Sequence, residues 1–164
     1  MIVNCVNGSF FISEVDYELV RNHKWQIMSN GNGKQYVRRT HKDPKTGKYF
    51  TLLLHRTILG VSNGVEVDHI NCNGLDNRRE NLRVVSSSQQ RMNSKIRKNK
   101  KWSLYKGVSR HPRSGKYVTQ VMLSNRHVFW REYEDECVAA WMYDIIAGDL
   151  FGQHSRLNFV SNEV

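Results

Sequence analysis

A short basic segment in the second half of the chain is too polar to lie in a domain core, so it limits how the chain can divide into folded domains. Residues 96–103 consist of Lys, Arg and Asn apart from one Ile, one Trp and one Ser. Because unpaired charges are costly to remove from water, this segment predicts a boundary between domains. We expect a first domain over residues 1–97, a basic linker over 98–103 and a second domain over 104–160.

The net charge of +10 is concentrated in one part of the sequence. Residues 91–117 hold ten basic side chains and no acidic ones, whereas the rest of the chain holds fifteen of each. A segment this one-sided favours a polyanionic partner. Its binding weakens as salt increases, because bound counterions are released. We therefore expect nucleic acid as the partner, with RNA binding through this segment as a weaker alternative to double-stranded DNA.

Other features of the sequence exclude several classes of protein. No run approaches the roughly 18 apolar residues of a membrane span, and the first residues lack the basic and apolar segments of a signal peptide. Cys5, Cys72 and Cys137 are widely spaced and form no CxxC pair, which disfavours a disulfide framework and a structural zinc site. We therefore expect a soluble cytoplasmic protein with free thiols and no membrane partner.

The first 97 residues predict short strands and two helices. Apolar or β-rich runs between turn residues favour strands, and helical spacing after a capping serine such as Ser13 favours helices. The strands are expected at residues 8–12, 36–39, 49–54, 65–69 and 82–85, with a hairpin joining the second and third, and the helices at 14–25 and from 86–88 to about 98.

The remaining residues predict three strands and a helix, so the fold class is α+β throughout. The strands are expected at residues 106–110, 116–123 and 126–133, and the helix at 134–147. The apolar stripe of the helix, expected to face a three-stranded sheet, consists of Val138, Trp141, Met142 and Ile145. We place Tyr117 and Trp141 in the core, and Gly148 is suited to end the helix.

The most specific pattern lies between residues 67 and 85. The string VDHIN at 67–71 is followed, after four residues, by DNRRENLRVV at 76–85. Over about residues 54–94 the chain resembles the HNH endonucleases, in particular the compact type encoded by phages and introns. The resemblance implies a ββα-metal nuclease domain, with residues 1–53 as an N-terminal extension.

His69 and Asp68 match the chemistry that phosphodiester hydrolysis requires. The reaction needs a base for water and a cation that offsets charge on the phosphate and on the leaving 3′ oxygen. His69 is the candidate base, and Asp68 offers a hard oxygen ligand to Mg²⁺ or Mn²⁺. Because neighbours in a strand point to opposite faces, a bulge or strand end has to let both reach one phosphate. The resemblance implies that Asn81 does no chemistry and holds the loop that positions the base.

The resemblance also implies a second metal ligand nine residues after Asn81, where the family has Asn or His. This chain has Gln90 there, and Asn93 follows one helical turn later. We favour Gln90 and keep Asn93 as the alternative. His55, in the family's recurring His-Arg pair, is interpreted as structural or phosphate-contacting, with a catalytic role as the alternative.

A second resemblance covers residues 105–159. Segments at 105–109, 115–118, 133–134, 139–144 and 156–159 resemble, in order and spacing, the AP2 DNA-binding domain. The resemblance implies a sheet that lies in the major groove, where base edges differ. The face predicted to contact bases comprises Lys106, Ser109, His111, Arg113, Gln120, Met122, His127 and Phe129. Phosphate contacts are expected from Arg110, Lys116 and Arg126, and from Lys95, Arg97, Lys98, Lys100 and Lys101 before the second domain.

These patterns together predict a DNA endonuclease that depends on Mg²⁺ or Mn²⁺. An AP2-like module would select the target, and such fusions suggest a homing endonuclease of a phage or mobile element. The alternative is a DNA-binding regulator whose nuclease half has decayed, because Gln90 departs from the family pattern. The sequence leaves open whether the protein is a monomer or a homodimer, and whether it cuts one strand or two.

Overall fold

The computed structural model describes residues 1–31, 33–96 and 101–159. The contacts between residues divide the chain into two compact units, Met1–Ser86 and Ser87–Val164. Both units combine helices and strands, as the α+β prediction requires, and the predicted linker at 98–103 stays a prediction. Within the described part of the chain, no helix has the length and apolar character that crossing a membrane requires. The three cysteines are free thiols.

The first unit is built from three small sheets and two short helices. In chain order its elements are β1 (Ile2–Cys5), β2 (Gly8–Ile12), α1 (Tyr17–Arg21), β3 (Gln26–Ser29), β4 (Gln35–Lys42), β5 (Tyr49–Leu53), α2 (Leu54–Leu59), β6 (Glu66–His69), β7 (Asp76–Asn77) and β8 (Leu82–Val85). The sheets have the orders β1-β2-β7, β3-β4-β5 and β6-β8. All neighbours are antiparallel except β2 and β7.

The core of this unit joins all three sheets. Its fully buried members include Phe10 and Ile12 of β2, Val37 of β4 and Leu54 of α2, and Val67 of β6 packs with them. The predicted strands that carry Phe10, Ile12, Val37 and Val67 are confirmed, and so is the hairpin of β4 and β5. Leu54, predicted to end a strand, instead begins α2, a helix that the sequence analysis missed. The core therefore holds the end of β6, with its candidate base, against the rest of the unit.

The helix predicted at 14–25 is shorter than expected. A 3-10 turn covers Glu14–Asp16 before α1, and Val15 is 78% exposed. Ser13 makes no side-chain capping bond, and its hydroxyl instead accepts the backbone N–H of Arg79. The segment buries Asp16, which pairs with the Arg79 guanidinium at 2.7 Å. This tertiary ion pair was not visible in the helical spacing.

The second unit contains one sheet and two helices in its described part. Its elements are α3 (Ser87–Met92), β9 (Val108–Arg110), β10 (Tyr117–Leu123), β11 (Arg126–Tyr133) and α4 (Glu136–Phe151). The sheet is antiparallel in the order β11-β10-β9. The three predicted strands are confirmed. The predicted helix from 86–88 to about 98 is too long, because α3 ends at Met92.

Most of the apolar stripe predicted for α4 faces solvent and not the sheet. Trp141 is 64% exposed, and Val138 and Ile145 are also exposed. The face packed on the sheet consists of Ala139, Ala140, Tyr143, Asp144 and Ala147. Alanines let the helix backbone come close to the sheet, as the 2.5 Å bond from the Thr119 hydroxyl to the Ala139 carbonyl requires. Tyr117 does pack partly against this core, and α4 runs past Gly148 to Phe151.

Candidate active site

His69 is the last residue of β6, and only 5% of it is exposed. It lies opposite Leu82 of β8, a member of the core. The chain turns directly after it, because the N–H of Cys72 donates to the His69 carbonyl at 2.8 Å. His69 therefore lies at a strand end. The predicted chemistry needs either a strand end or a bulge at this position.

Asn77 contacts the ring of His69. Its Oδ1 lies 3.3 Å from Nε2 of the imidazole, and Asn77 is fully buried in β7. The Nδ2 of Asn77 points to the carbonyl of Gly74 at 3.4 Å, which directs Oδ1 to the imidazole. Because a carboxamide oxygen only accepts, Nε2 of His69 carries a hydrogen. Our sequence analysis missed this role, although Asn77 lies inside the motif.

Two further rings surround this imidazole. The ring centroid of His55, from α2, lies 5.0 Å from that of His69, and the two rings are nearly perpendicular. The ring centroid of Tyr36, from β4, lies 5.9 Å from that of His55 and 6.2 Å from that of His69. Two elements distant in sequence, α2 and β4, thus converge on the candidate base.

Burial keeps both imidazoles neutral near pH 7. It is the largest cause that lowers the pKa of His55 to about 3, and repulsion from His69 when that ring is protonated, and from Arg56, acts in the same direction. Burial also lowers the pKa of His69, opposed by the bond to Asn77 and by the charges of nearby carboxylates. The Nδ1 of His55 is buried and has no hydrogen-bond partner among the described residues. A neutral imidazole is the form that accepts a proton.

Asn81 ties together the loop that follows His69. Its Nδ2 donates to the carbonyl of Asp76 at 2.7 Å and to Oδ1 of Asn71 at 3.0 Å. Its Oδ1 accepts the backbone N–H of Asn71, and its carbonyl accepts that of Ile70. Four bonds from one buried residue thus hold the backbone on both sides of the turn.

A buried carboxylate completes the same loop. Arg78 donates to both oxygens of Asp76 at 2.8 Å, and Asn71 donates to one of them at 2.8 Å. These contacts, chiefly the bond from Arg78, lower the pKa of Asp76 and keep it ionised. The network fixes the loop that leads to Asn77.

Asp68 is half-buried and pairs with Arg83 across the β6-β8 sheet. The distance from the Arg83 guanidinium to Oδ2 of Asp68 is 3.1 Å. The chemistry of the carboxylate fits a hard divalent cation, although Arg83 competes for it. In residues 1–31, 33–96 and 101–159, no three His, Cys, Asp or Glu side chains form a group that could hold a metal ion.

The two candidates for the second metal ligand belong to the other compact unit. Gln90 lies on α3 and is exposed, whereas Asn93 directly follows the helix and is 5% exposed. The N–H of Asn93 donates to the Gln89 carbonyl at 3.2 Å. The choice between Gln90 and Asn93 stays a prediction.

The strand register of the second unit's sheet places the residues predicted to contact bases on two different faces. Gln120 lies opposite Trp130, and Met122 lies opposite His127, on the face away from α4. A β-bulge between these pairs adds one residue to β11, so residues two apart across it point to opposite faces. Phe129 consequently packs against the core on the α4 side. Trp130, which our prediction left out, is 52% exposed on the opposite face.

The predicted DNA-contacting cations differ in how freely they face solvent. Lys106 donates to the carbonyls of Met92 and Ser94, and Lys116 pairs with Glu134 at 2.6 Å. Arg110 donates to the Gly115 carbonyl at 2.8 Å. The exposed cations among the predicted set are Lys95, Lys101, Arg110, Arg113 and Arg126.

Among the remaining candidates, His111 contacts Ser114 and Glu132, and Ser109 lies opposite Val118 on β10. Arg97, Lys98 and Lys100 lie outside the described residues. A role in DNA binding stays a prediction for all of them.

Residues 53–92 match the family of HNH endonucleases. The chain is also 27% identical, over 158 residues, to the uncharacterized HNH endonuclease L560 of Acanthamoeba polyphaga mimivirus. That similarity covers 92% of this chain and 75% of the viral protein. No solved structure gives a significant match. The segment similar to HNH endonucleases thus contains His55, His69, Asn77 and Asn81, and it suggests a DNA nuclease.

Proposed function

We propose that this protein is an HNH endonuclease that hydrolyses phosphodiester bonds of double-stranded DNA with the help of Mg²⁺ or Mn²⁺. The observation that carries the proposal is the buried, neutral imidazole of His69, bonded through Nε2 to Asn77. It lies at a strand end inside the segment similar to HNH endonucleases.

In this proposal, His69 acts as the general base. Because Nε2 holds a hydrogen, Nδ1 is the atom that takes a proton from the attacking water. The water oxygen bonds to phosphorus as the bond to the 3′ oxygen breaks. The leaving 3′ oxygen takes a proton from solvent, so that the products carry a 5′ phosphate and a 3′ hydroxyl. Asn77 positions the base by its contact with the ring, and Asn81 positions it by holding the loop that follows His69.

The metal ligands in this proposal are Asp68 and either Gln90 or Asn93. When bound, a divalent cation offsets charge on the phosphate and on the leaving oxygen. A carboxylate and an amide oxygen are donors that Mg²⁺ and Mn²⁺ accept. His55, neutral and packed on His69, supports the base ring, and a direct catalytic role is the alternative.

Targeting is assigned to residues 104–160 as an AP2-like module, joined by the basic linker at 98–103. Support comes from the motifs at 105–159 and from the order of three strands and a helix. A homing endonuclease of a phage or mobile element is the biological setting we propose. The relative named as a protein of a mimivirus is consistent with a viral setting.

A second candidate function is a regulator that binds DNA without cutting it. Two observations favour it: Arg83 occupies the carboxylate of Asp68, and Gln90 stands where the family has Asn or His. Both would weaken a metal site.

Supercoiled plasmid incubated with the protein and Mg²⁺ tests the two functions. The nuclease predicts nicking that disappears with EDTA and with His69→Ala. Tight DNA binding without cleavage of plasmid or phage DNA would overturn the nuclease and support the regulator.

A further inference from the structure

The hairpin of β4 and β5 carries a concentrated positive charge. Residues 33–53 contain six basic side chains and one acidic one, Asp43. The basic residues are Lys34, Arg38, Arg39, Lys42, Lys45 and Lys48. Glu14, Asp16 and Glu18 offset part of this charge in the sequence, but in the described part of the chain none of them forms an ion pair with the hairpin.

Three of the four carboxylates in residues 1–60 already have polar partners. Asp16 pairs with Arg79, and Glu18 pairs with Arg21 at 3.0 Å. Asp43 accepts the Thr46 hydroxyl at 2.6 Å within the hairpin turn. None of the six hairpin cations forms an ion pair with a carboxylate in the described part of the chain.

The strand register places some of these cations on one face that begins at the candidate base. Tyr36, whose ring contacts His69 and His55, shares its face of β4 with Arg38, Thr40 and Lys42. On β5, the residues opposite the last three are Leu53, Thr51 and Tyr49. We call these seven residues the β4-β5 face. It extends about 20 Å along the strand, the length of about six base pairs.

The chemistry of the face suits a phosphate backbone. Arg38 is half-buried, and its Nε has no hydrogen-bond partner among the described residues. A guanidinium carries several N–H donors in a planar arrangement that matches phosphate oxygens. At the other end, the Lys42 ammonium lies 5.7 Å from the ring centroid of Tyr49, which is 69% exposed. Thr40 and Thr51, both exposed, provide hydroxyls between the two cations.

We propose that the β4-β5 face binds the phosphate backbone of duplex DNA and leads it to His69. The inference rests on the proposed nuclease function for what happens at His69, but the binding itself needs no catalysis. It assigns a DNA-contacting role to the N-terminal extension, separate from the basic segment at 91–117.

The test measures binding of the full chain to a short DNA duplex of random sequence in EDTA, over a series of salt concentrations. The test variant is Arg38→Gln with Lys42→Gln. We expect its affinity to fall about 10- to 100-fold and the slope of log affinity against log salt to decrease by about two. A matched control, Arg21→Gln with Lys24→Gln, removes the same charge from exposed positions elsewhere in the unit and is expected to retain affinity within about twofold.

Two single variants, Lys42→Gln and Thr51→Glu, change only exposed side chains. They test the inference even if the double variant misfolds. Both are expected to weaken binding, with unchanged thermal unfolding. Equal affinity and salt slope in wild type and all β4-β5 face variants would overturn the inference, even if the wild type nicks plasmid. Tighter binding to an RNA duplex than to DNA would also overturn it. Weaker DNA binding by the variants of a protein that never cleaves would support the face while removing the nuclease.

Discussion

The carboxamide oxygen of Asn77 lies 3.3 Å from Nε2 of His69, and both residues are buried. The contact joins the parallel-paired β7 to the end of β6 and determines which imidazole nitrogen holds the hydrogen. Asn77 is thus the structural partner of the candidate base.

We expect Asn77→Ala to reduce the rate of plasmid nicking about 10- to 100-fold, since a misoriented base loses much of the benefit of general base catalysis. The measurement is the first-order rate constant of nicking under single-turnover conditions. Asn73→Ala, which removes an exposed side chain of the same loop, is expected to retain activity. If Asn77 acts through His69, the variant that also carries His69→Ala is no slower than His69→Ala alone. Additive losses would contradict this role.

Gly74 allows the loop before Asn77 to pass against β4. A Cβ at this position would lie 2.0 Å from the backbone oxygen of Gln35. We expect Gly74→Ala to shift the loop, lower the free energy of unfolding by about 1–3 kcal/mol and reduce nicking. Thermal unfolding and plasmid nicking measure the two effects. Gly31→Ala, whose Cβ would meet nothing within 4 Å, is the matched control. Equal effects of both substitutions would refute the steric explanation.

The buried His55 predicts a loss of stability in acid. Its pKa is about 3 in the folded protein against an ordinary value of 6.5, so the unfolded chain binds the proton more readily. The stability contribution is complete above pH 6.5 and is lost as the pH falls towards 3. Between pH 7 and pH 5 we expect a loss of about 2 kcal/mol from His55, and burial of His69 adds to it.

Urea unfolding at the two pH values measures this difference. His55→Phe retains a ring but cannot titrate, so its loss of stability between pH 7 and pH 5 is expected to be smaller by about 2 kcal/mol. His127→Gln, at an exposed position, is expected to behave as the wild type does. The same pH dependence in all three proteins would show that His55 does not titrate as a buried group.

The corrected orientation of α4 makes a prediction for the second unit. Trp141→Gln changes an exposed side chain and is expected to alter the free energy of unfolding by less than about 0.5 kcal/mol. Ala139→Leu inserts bulk at a fully buried position and is expected to cost about 1–3 kcal/mol. Urea unfolding followed by circular dichroism compares the two. A larger cost for Trp141→Gln would restore the orientation that we predicted from the sequence.

Local patterns predicted several elements correctly. The hairpin of β4 and β5, the pair of β6 and β8 and the three strands of the second unit all follow from β-rich runs between turn residues. These signals are contained within a few neighbouring residues. The strands β1, β3 and β7 were missed, and β7 has only two residues that pair with the distant β2.

The errors share one cause. Whether Val138 or Ala139 faces the sheet depends on how closely α4 approaches it, and the face of Phe129 depends on a bulge against β10. Neither property belongs to a single segment, so periodicity alone could not decide between faces.

The amino-acid sequence by itself was sufficient for the motif around His69, for most of the strands and for the location of the excess charge. These features depend on residue type and on neighbours along the chain. Tertiary structure alone decided the partner of His69, the convergence of Tyr36 and His55 on it, and the direction of the β4-β5 face. Each of these requires residues far apart in the chain to meet, and burial against a common core brings them together.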